Sequence, residues 1–436
     1  MNRICSSFLA SRAWAADGSR RAPRRTAAAL TFSLAFAPSI KGATPVDCPG
    51  THWVRAWGAA MMAPEEFEYY PGLDRIFSGV TLRQNMLRTL PGRTVRVTFS
   101  NEYGRMPLRI GHAHIASQLG GARIDPATDV ELLFEGQRSA SIPAGSRLVS
   151  DPAILAVADA LDVAVSIYLP DSTLGSTSSV HEEAWRTGYV SPPGDFTGRP
   201  DLPIAAPLHN DFYLAALDVL APCASSAIVA LGDSISDGTG ATPGADRKWP
   251  DELARRLARD HPGRYAVVNM AIGGNRLLKP STGPSGLERS ARDLFQIPGA
   301  RVLVVLEGVN DIAGEGDMTR AGITASQLIA GFRSLIHETH ERGLIIVGAT
   351  ITPTLGCMDC GGSSGERVRQ EFNAWVRAGH EFDATIDFDR AVRDADDPRR
   401  LRPQFDCGDH LHLSDAGYQA MAGAAERVLR RLLAGP

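Results

Sequence analysis

Between residues 50 and 220 the apolar positions fall in short runs that alternate with polar ones. Thr94-Val-Arg-Val-Thr-Phe99 and Asp162-Val-Ala-Val-Ser-Ile-Tyr-Leu169 repeat with period two, and turn-forming residues follow each. That period belongs to strands with one buried face. Leu108-Arg-Ile110 and residues 130–134 and 212–215 predict further strands, and no long helical stripe interrupts them. Several short strands at this spacing predict a β-sandwich of jelly-roll type.

After Ala221-Pro222 the texture changes. Ala227-Ile-Val-Ala-Leu231 is continuously apolar, as are Tyr265-Ala-Val-Val-Asn269, Val302-Leu-Val-Val-Leu306 and the stretch 343–348. Between them, residues 249–259, 325–342 and 367–377 carry helical spacing, and a last helix is expected over 415–433. Apolar strands alternating with amphipathic helices predict a parallel sheet covered on both faces, an α/β architecture. Ligands of such sheets bind at the carboxyl ends of the strands. The organisation expected is therefore a 1–45 leader, a β-domain over 46–222 and an α/β domain over 223–436.

The leader is set apart by Arg20, Arg21, Arg24 and Arg25, followed by an apolar run over 26–40 that is too short to span a bilayer comfortably. This is the pattern of an export signal, with Ala37 and Ala43 as candidate cleavage positions, and predicts a secreted or periplasmic protein. No later segment is long and apolar enough for a membrane span. The composition of the whole 436-residue chain is that of a globular protein, and its net charge of −4 leaves no footprint for nucleic acid. Of six cysteines, Cys5 lies in the leader. In an oxidising compartment the others predict disulfides: one from the Cys357/Cys360 pair to Cys407, and one between Cys48 and Cys223. Trp53, Trp57 and Trp185 either line a sugar-binding face or fill the core and the seam between domains, the second being the expected role.

Candidate chemistry collects at the strand ends. Ser234 follows Gly-Asp where the 227–231 strand breaks, and Ser236 replaces the second glycine of a Gly-x-Ser-x-Gly elbow. Asn269-Met-Ala-Ile-Gly-Gly-Asn275 follows the second strand and Gly308-Val-Asn-Asp311 the third. Near the end, Asp409 and His412 stand three apart, close enough to meet in a turn. A serine alcohol becomes a useful nucleophile when an imidazole takes its proton and a carboxylate orients that imidazole. His410 competes with His412, but its immediate adjacency to Asp409 points the two side chains apart. His410 and His412 lack a third convergent ligand, so no metal is expected, and no cofactor is needed. Loop 356–365 either borders the site or is plain surface.

These four blocks resemble the SGNH (GDSL-type) hydrolases, esterases and lipases. The resemblance covers residues 226–432 and implies a flavodoxin-like three-layer α/β fold with Ser234 as nucleophile and the Asp409–His412 pair activating it. It further implies an oxyanion hole from the N–H groups of Ser234 and Gly274 (Gly273 being the alternative) and the side-chain amide of Asn310. The first half, with Trp53, Thr81-Leu-Arg-Gln84 and Ser100-Asn101, is similar to the β-domain of a secreted bacterial branch grouped with xylan-degrading esterases. Small or carbohydrate acyl esters are the substrates this implies. Two other functions fit the same residues: an acyltransferase to a sugar acceptor, and a carbohydrate-binding protein with a degenerate hydrolase domain.

Overall fold

A computed structural model describes residues 50–64, 75–157, 159, 161–314, 321–358 and 360–434. The expected leader, its cleavage positions and Cys48 lie outside the described residues. Among the described residues, no helix is long and apolar enough to cross a membrane.

Residues 226–386 build a five-stranded parallel sheet. Its spatial order is Tyr265–Asn269, Ser226–Gly232, Ala300–Leu306, Ile345–Ala349, Ala384–Ile386. In sequence terms this is 2-1-3-4-5, the flavodoxin-like order. The Ser226–Gly232 strand is buried along its whole length, as a central strand covered on both faces must be. Helices Trp249–Asp260, Ala325–Glu341, Gly362–Ala378 and Asp415–Leu433 supply that cover, each burying one apolar stripe. Helix Ala325–Glu341 starts on a capping box: the Thr324 hydroxyl accepts from the Gln327 N–H, and the Gln327 side chain reaches back. Gly361, at φ 75°, turns the chain into the Gly362–Ala378 helix five residues earlier than the apolar pattern from 367 suggests.

The first half is rich in antiparallel strands. One sheet runs Thr51–Gly58, Leu214–Pro222, Thr94–Asn101, Ala153–Ile154, with Ser146–Val149 also on Thr94–Asn101. A second runs Ala206–Leu208, Gly188–Pro193, Val80–Leu87, Asp162–Leu169, His112–Gly120, Arg123–Ile124, and two short ladders pair Val180–His181 with Asp211–Phe212 and Leu108–Ile110 with Ala140–Ile142. The strand expected over 130–134 is shorter, Val130–Glu131. The one expected over 212–215 is split in two, because Tyr213 takes φ 60° and breaks the ladder between Asp211–Phe212 and Leu214–Pro222.

The cysteine expectation needs correction. Cys357 and Cys360 bond each other, with Cα atoms 5.7 Å apart, so neither bridges to Cys407. A turn brings residues three apart within disulfide reach without any help from a distant strand. Cys223 and Cys407 each take part in a disulfide of their own.

One buried apolar cluster runs through both halves, from Val54 and Val97 to Val268 and Leu429. The seam is polar as well as apolar. Thr89 Oγ1 accepts the Val267 N–H at 3.0 Å and lies 2.9 Å from the Val267 carbonyl oxygen, so the first half satisfies the outermost strand of the parallel sheet. An orphaned N–H there costs about 1–3 kcal/mol. Thr89→Val is expected to lower unfolding free energy by about that amount, measured by urea denaturation; an unchanged midpoint would show that the contact contributes nothing.

Candidate functional site

Because Tyr265–Asn269 and Ala300–Leu306 flank Ser226–Gly232, the loops that follow all three strands emerge side by side. Gly232 ends the central strand where no side chain fits. A Cβ there would sit 2.3 Å from Ser236 Oγ and 2.9 Å from the Leu306 carbonyl oxygen. Asp233 then caps the one-turn helix Ser234–Asp237, its carboxylate accepting the Ile235 N–H at 2.9 Å. Ser234 is thereby the first residue of the helix, 6% exposed.

His412 Nε2 lies 2.8 Å from Ser234 Oγ, and its Nδ1 lies 2.6 Å from Asp409 Oδ2. Asp409 Oδ1 accepts the backbone N–H groups of Leu411 and His412 at 2.9 and 2.8 Å, which closes the turn between the two residues. Burial opposes ionisation of Asp409, but the hydrogen bond from His412, its charge and those two N–H groups outweigh it. The carboxyl is lowered from 3.8 to about 2. His410, the sequence competitor, stands at φ 66° and turns outward, with its Nδ1 2.6 Å from Asp406 Oδ2.

The other predicted residues gather at the same strand ends. Gly274, at φ 72°, has no room for a side chain, since a Cβ would meet Thr282 Oγ1 at 2.2 Å. Of the two adjacent glycines, Gly273 donates its N–H to Glu182. The N–H of Gly274 makes no hydrogen bond among the described residues, and the same holds for Ser234. Asn310 begins no ladder of its own: Gly308, at φ 116°, turns the chain into helix Val309–Ala313, and the Asn310 amide donates to the Asn275 carbonyl at 2.9 Å. One amide hydrogen remains for something else.

Several residues that hold this arrangement escaped sequence reading. Arg289 is wholly buried and donates to the Met270 carbonyl (2.5 Å), Asn275 Oδ1 (3.0 Å) and the Gly232 carbonyl (3.4 Å), tying the first two loops together. Asp311 accepts the N–H groups of Leu277 and Leu278 at 2.8 and 3.0 Å, tying the third loop to the second. Beneath them, burial pushes the carboxyls of Asp233 and Glu307 upward, each raised further by a neighbouring acid. The aspartates stood inside the sequence blocks and were readable as loop ties; Arg289 and Glu182 stand in no block. Trp57 and Trp185 are half-buried at the seam between the halves, and Trp53 stacks under Arg96 with the guanidinium 4.4 Å from the ring centre. Thr81-Leu-Arg-Gln84 is framework, since buried Arg83 donates to the carbonyls of Ala122, Thr197 and Arg199 at 2.7–3.0 Å. In loop 356–365, Gly356 packs against the His410 ring and residues from 362 are helical.

Residues 230–420 match the GDSL-like lipase/acylhydrolase family. The chain carries a GDSL-like acylhydrolase domain and is an enzyme of that class. Solved structures similar to it include a carbohydrate acetylesterase from Sinorhizobium meliloti, with 13% identity and a TM-score of 0.38, covering 48% of this chain and 100% of that one. A variant of an acetyl xylan esterase from Geobacillus stearothermophilus gives 21% identity and a TM-score of 0.37, covering 47% and 94%. A GDSL-like lipase from Bacteroides thetaiotaomicron VPI-5482 gives 14% and 0.36, covering 48% and 88%. No curated protein matches the chain in sequence.

The lowered carboxyl of Asp409 carries a pH signature. A group whose folded pKa lies below its unfolded value contributes stability above the unfolded pKa, here 3.8, and loses it as pH falls through the folded value, about 2. Nearly two pH units correspond to about 2 kcal/mol. Urea midpoints of wild type and Asp409→Asn taken from pH 5 down to pH 2 are expected to converge as acid is added; parallel curves would count against the pairing with His412.

Proposed function

We propose that the acylhydrolase domain is a serine esterase acting on short acyl esters, including O-acetyl groups on carbohydrate. What supports this most is the unbroken relay of 2.8 Å from Ser234 Oγ to His412 Nε2 and 2.6 Å from His412 Nδ1 to Asp409. Ser234 Oγ bonds to the ester carbonyl carbon as its proton passes to His412 Nε2. Asp409 keeps the ring oriented and stabilises the imidazolium. The carbonyl oxygen, now an anion, is received by the free N–H groups of Ser234 and Gly274 and the remaining amide hydrogen of Asn310. Collapse breaks the ester C–O bond, and His412 returns its proton to the departing alcohol. Water then repeats the sequence on the acyl-enzyme and releases the acid.

A short acyl group suits a nucleophile and a base that are only 6% and 4% exposed, because little room opens above them. The engagement of Gly273 by Glu182 favours Gly274 as the oxyanion donor. We read the strand-rich half as a sandwich, its two larger antiparallel sheets feeding one buried cluster. Export is supported by the arginine-led apolar leader and by disulfides at Cys357–Cys360, Cys223 and Cys407, which suit an oxidising compartment.

Hydrolysis of p-nitrophenyl acetate by the purified protein tests the reading. Ser234→Ala is expected to abolish it. Asn310→Ala is expected to reduce kcat by about 10²–10³ with an unchanged melting temperature. A panel of acetylated xylan, acetylated sugars and longer acyl esters is expected to favour the acetyl compounds. Turnover surviving in Ser234→Ala would overturn the proposal.

A further inference from the structure

Behind the Ser234–Asp237 helix, where the strand-rich half meets the parallel sheet, three metal-ligating side chains converge in the interior. His181 and Glu182 come from the short strand Val180–His181 and the residue after it, and Asp237 is the last residue of the helix. All three are more than nine-tenths buried. One ligand atom from each lies within 4.8 Å of the other two. That spacing matches donors around one ion, whose bonds to nitrogen and oxygen run about 2.0–2.2 Å.

The hydrogen bonding around the three is incomplete in a particular way. His181 Nδ1 lies 3.2 Å from the Ala60 carbonyl oxygen, which places a proton on Nδ1, so that in the neutral ring Nε2 is the nitrogen able to bind a metal. Glu182 Oε1 is engaged by the Gly273 N–H, whereas Oε2 has no hydrogen bond and only a 3.3 Å contact with His181 Nδ1. Asp237 Oδ1 stands 3.3 Å from His181 Nε2, and Asp237 Oδ2 has no hydrogen bond. Buried carboxylate oxygens without partners are costly unless a cation answers them. Beside them opens a cavity of about 60 Å³ lined by His181, Glu183, Asp211, Asp237 and Lys248. Such a space admits an ion with water attached and brings two further carboxylates within its field.

We propose that His181, Glu182 and Asp237 together bind a divalent transition-metal ion of the zinc or manganese kind, tying the strand-rich half to the helix that carries Ser234. One imidazole with carboxylates suits these ions, while calcium asks for six to eight oxygens. Water from the cavity completes the coordination. The ion is structural: it touches neither Ser234 nor His412, and the proposal stands independently of the esterase reading. The sequence expectation of no metal weighed only His410 and His412 as ligands, and these are not part of the cluster. The rival arrangement is a doubly protonated His181 that donates to Ala60, Glu182 and Asp237 with no ion present.

The full chain, stripped with EDTA and desalted, is titrated separately with Zn²⁺, Mn²⁺ and Ca²⁺. Retained metal is read by elemental analysis and stability by thermal unfolding. The expected result is about one equivalent of zinc or manganese, with a raised melting temperature. Asp237→Asn and Glu182→Gln are expected to weaken binding by about tenfold or more, and His410→Ala to leave it unchanged. Less than about a tenth of an equivalent of any ion and an unmoved melting temperature would establish the imidazolium instead. Retention of calcium alone, or metal retained undiminished in both carboxylate variants, would also overturn the proposal. The wild-type stoichiometry decides the matter even where a variant fails to fold.

Discussion

The pairing of one central strand with its two neighbours carries the rest of the molecule. Ser226–Gly232 lies in register with Tyr265–Asn269 through Ala230 and Asn269, and with Ala300–Leu306 through Gly232 and Leu306. Because all three run parallel, their carboxyl ends and the loops beyond them share one rim. Arg289 then binds two of those loops from below. A guanidinium sealed from water is tolerable there because backbone carbonyls and Asn275 take its donors while Asp293 and Glu307 oppose its charge. Asp311 secures the third loop through two N–H groups. The nucleophile candidate therefore rests on a rim set by main-chain geometry and fastened by two buried side chains, Arg289 and Asp311.

His412 reaches this rim from 178 residues away, and the chain makes that reach local in its details. Gly408, at φ 121°, and His410, at φ 66°, coil the segment so that Asp409 and His412 face each other. Asp406 holds the outer side of the coil through the N–H groups of Gly408 and His410. Ser414 caps the closing helix, whose Tyr418 hydroxyl donates to the Thr239 carbonyl just beyond the Ser234 helix. One carboxylate, Asp409, thus shapes the turn with one oxygen and orients the imidazole with the other.

The parallel half was largely legible because its strands are apolar throughout and its helices keep one clean stripe. Tyr265–Asn269 falls where the pattern puts it, as does the final helix, and the first three blocks fall on adjacent strand ends, with the fourth in the coil before that helix. Legibility failed where buried positions are polar. Val80–Leu87 hides Arg83, Gln84 and Asn85 inside the protein, so its alternation cannot be told from a loop. The fifth parallel strand, Ala384–Ile386, is too short to register as a period. Tyr213 broke a strand through a backbone angle that no side-chain pattern announces. Glu182 reached Gly273 across 91 residues with no motif around it. Contacts of this kind are written in the tertiary arrangement alone.

The seam at Thr89 bears on how the polypeptide must be made. A parallel sheet ends in a row of unanswered amides and carbonyls that invites pairing with any passing chain. Here the cover for that margin lies upstream, in residues that leave the ribosome first. By the time the margin emerges its shield is already synthesised, so the order of translation guards against self-association during folding.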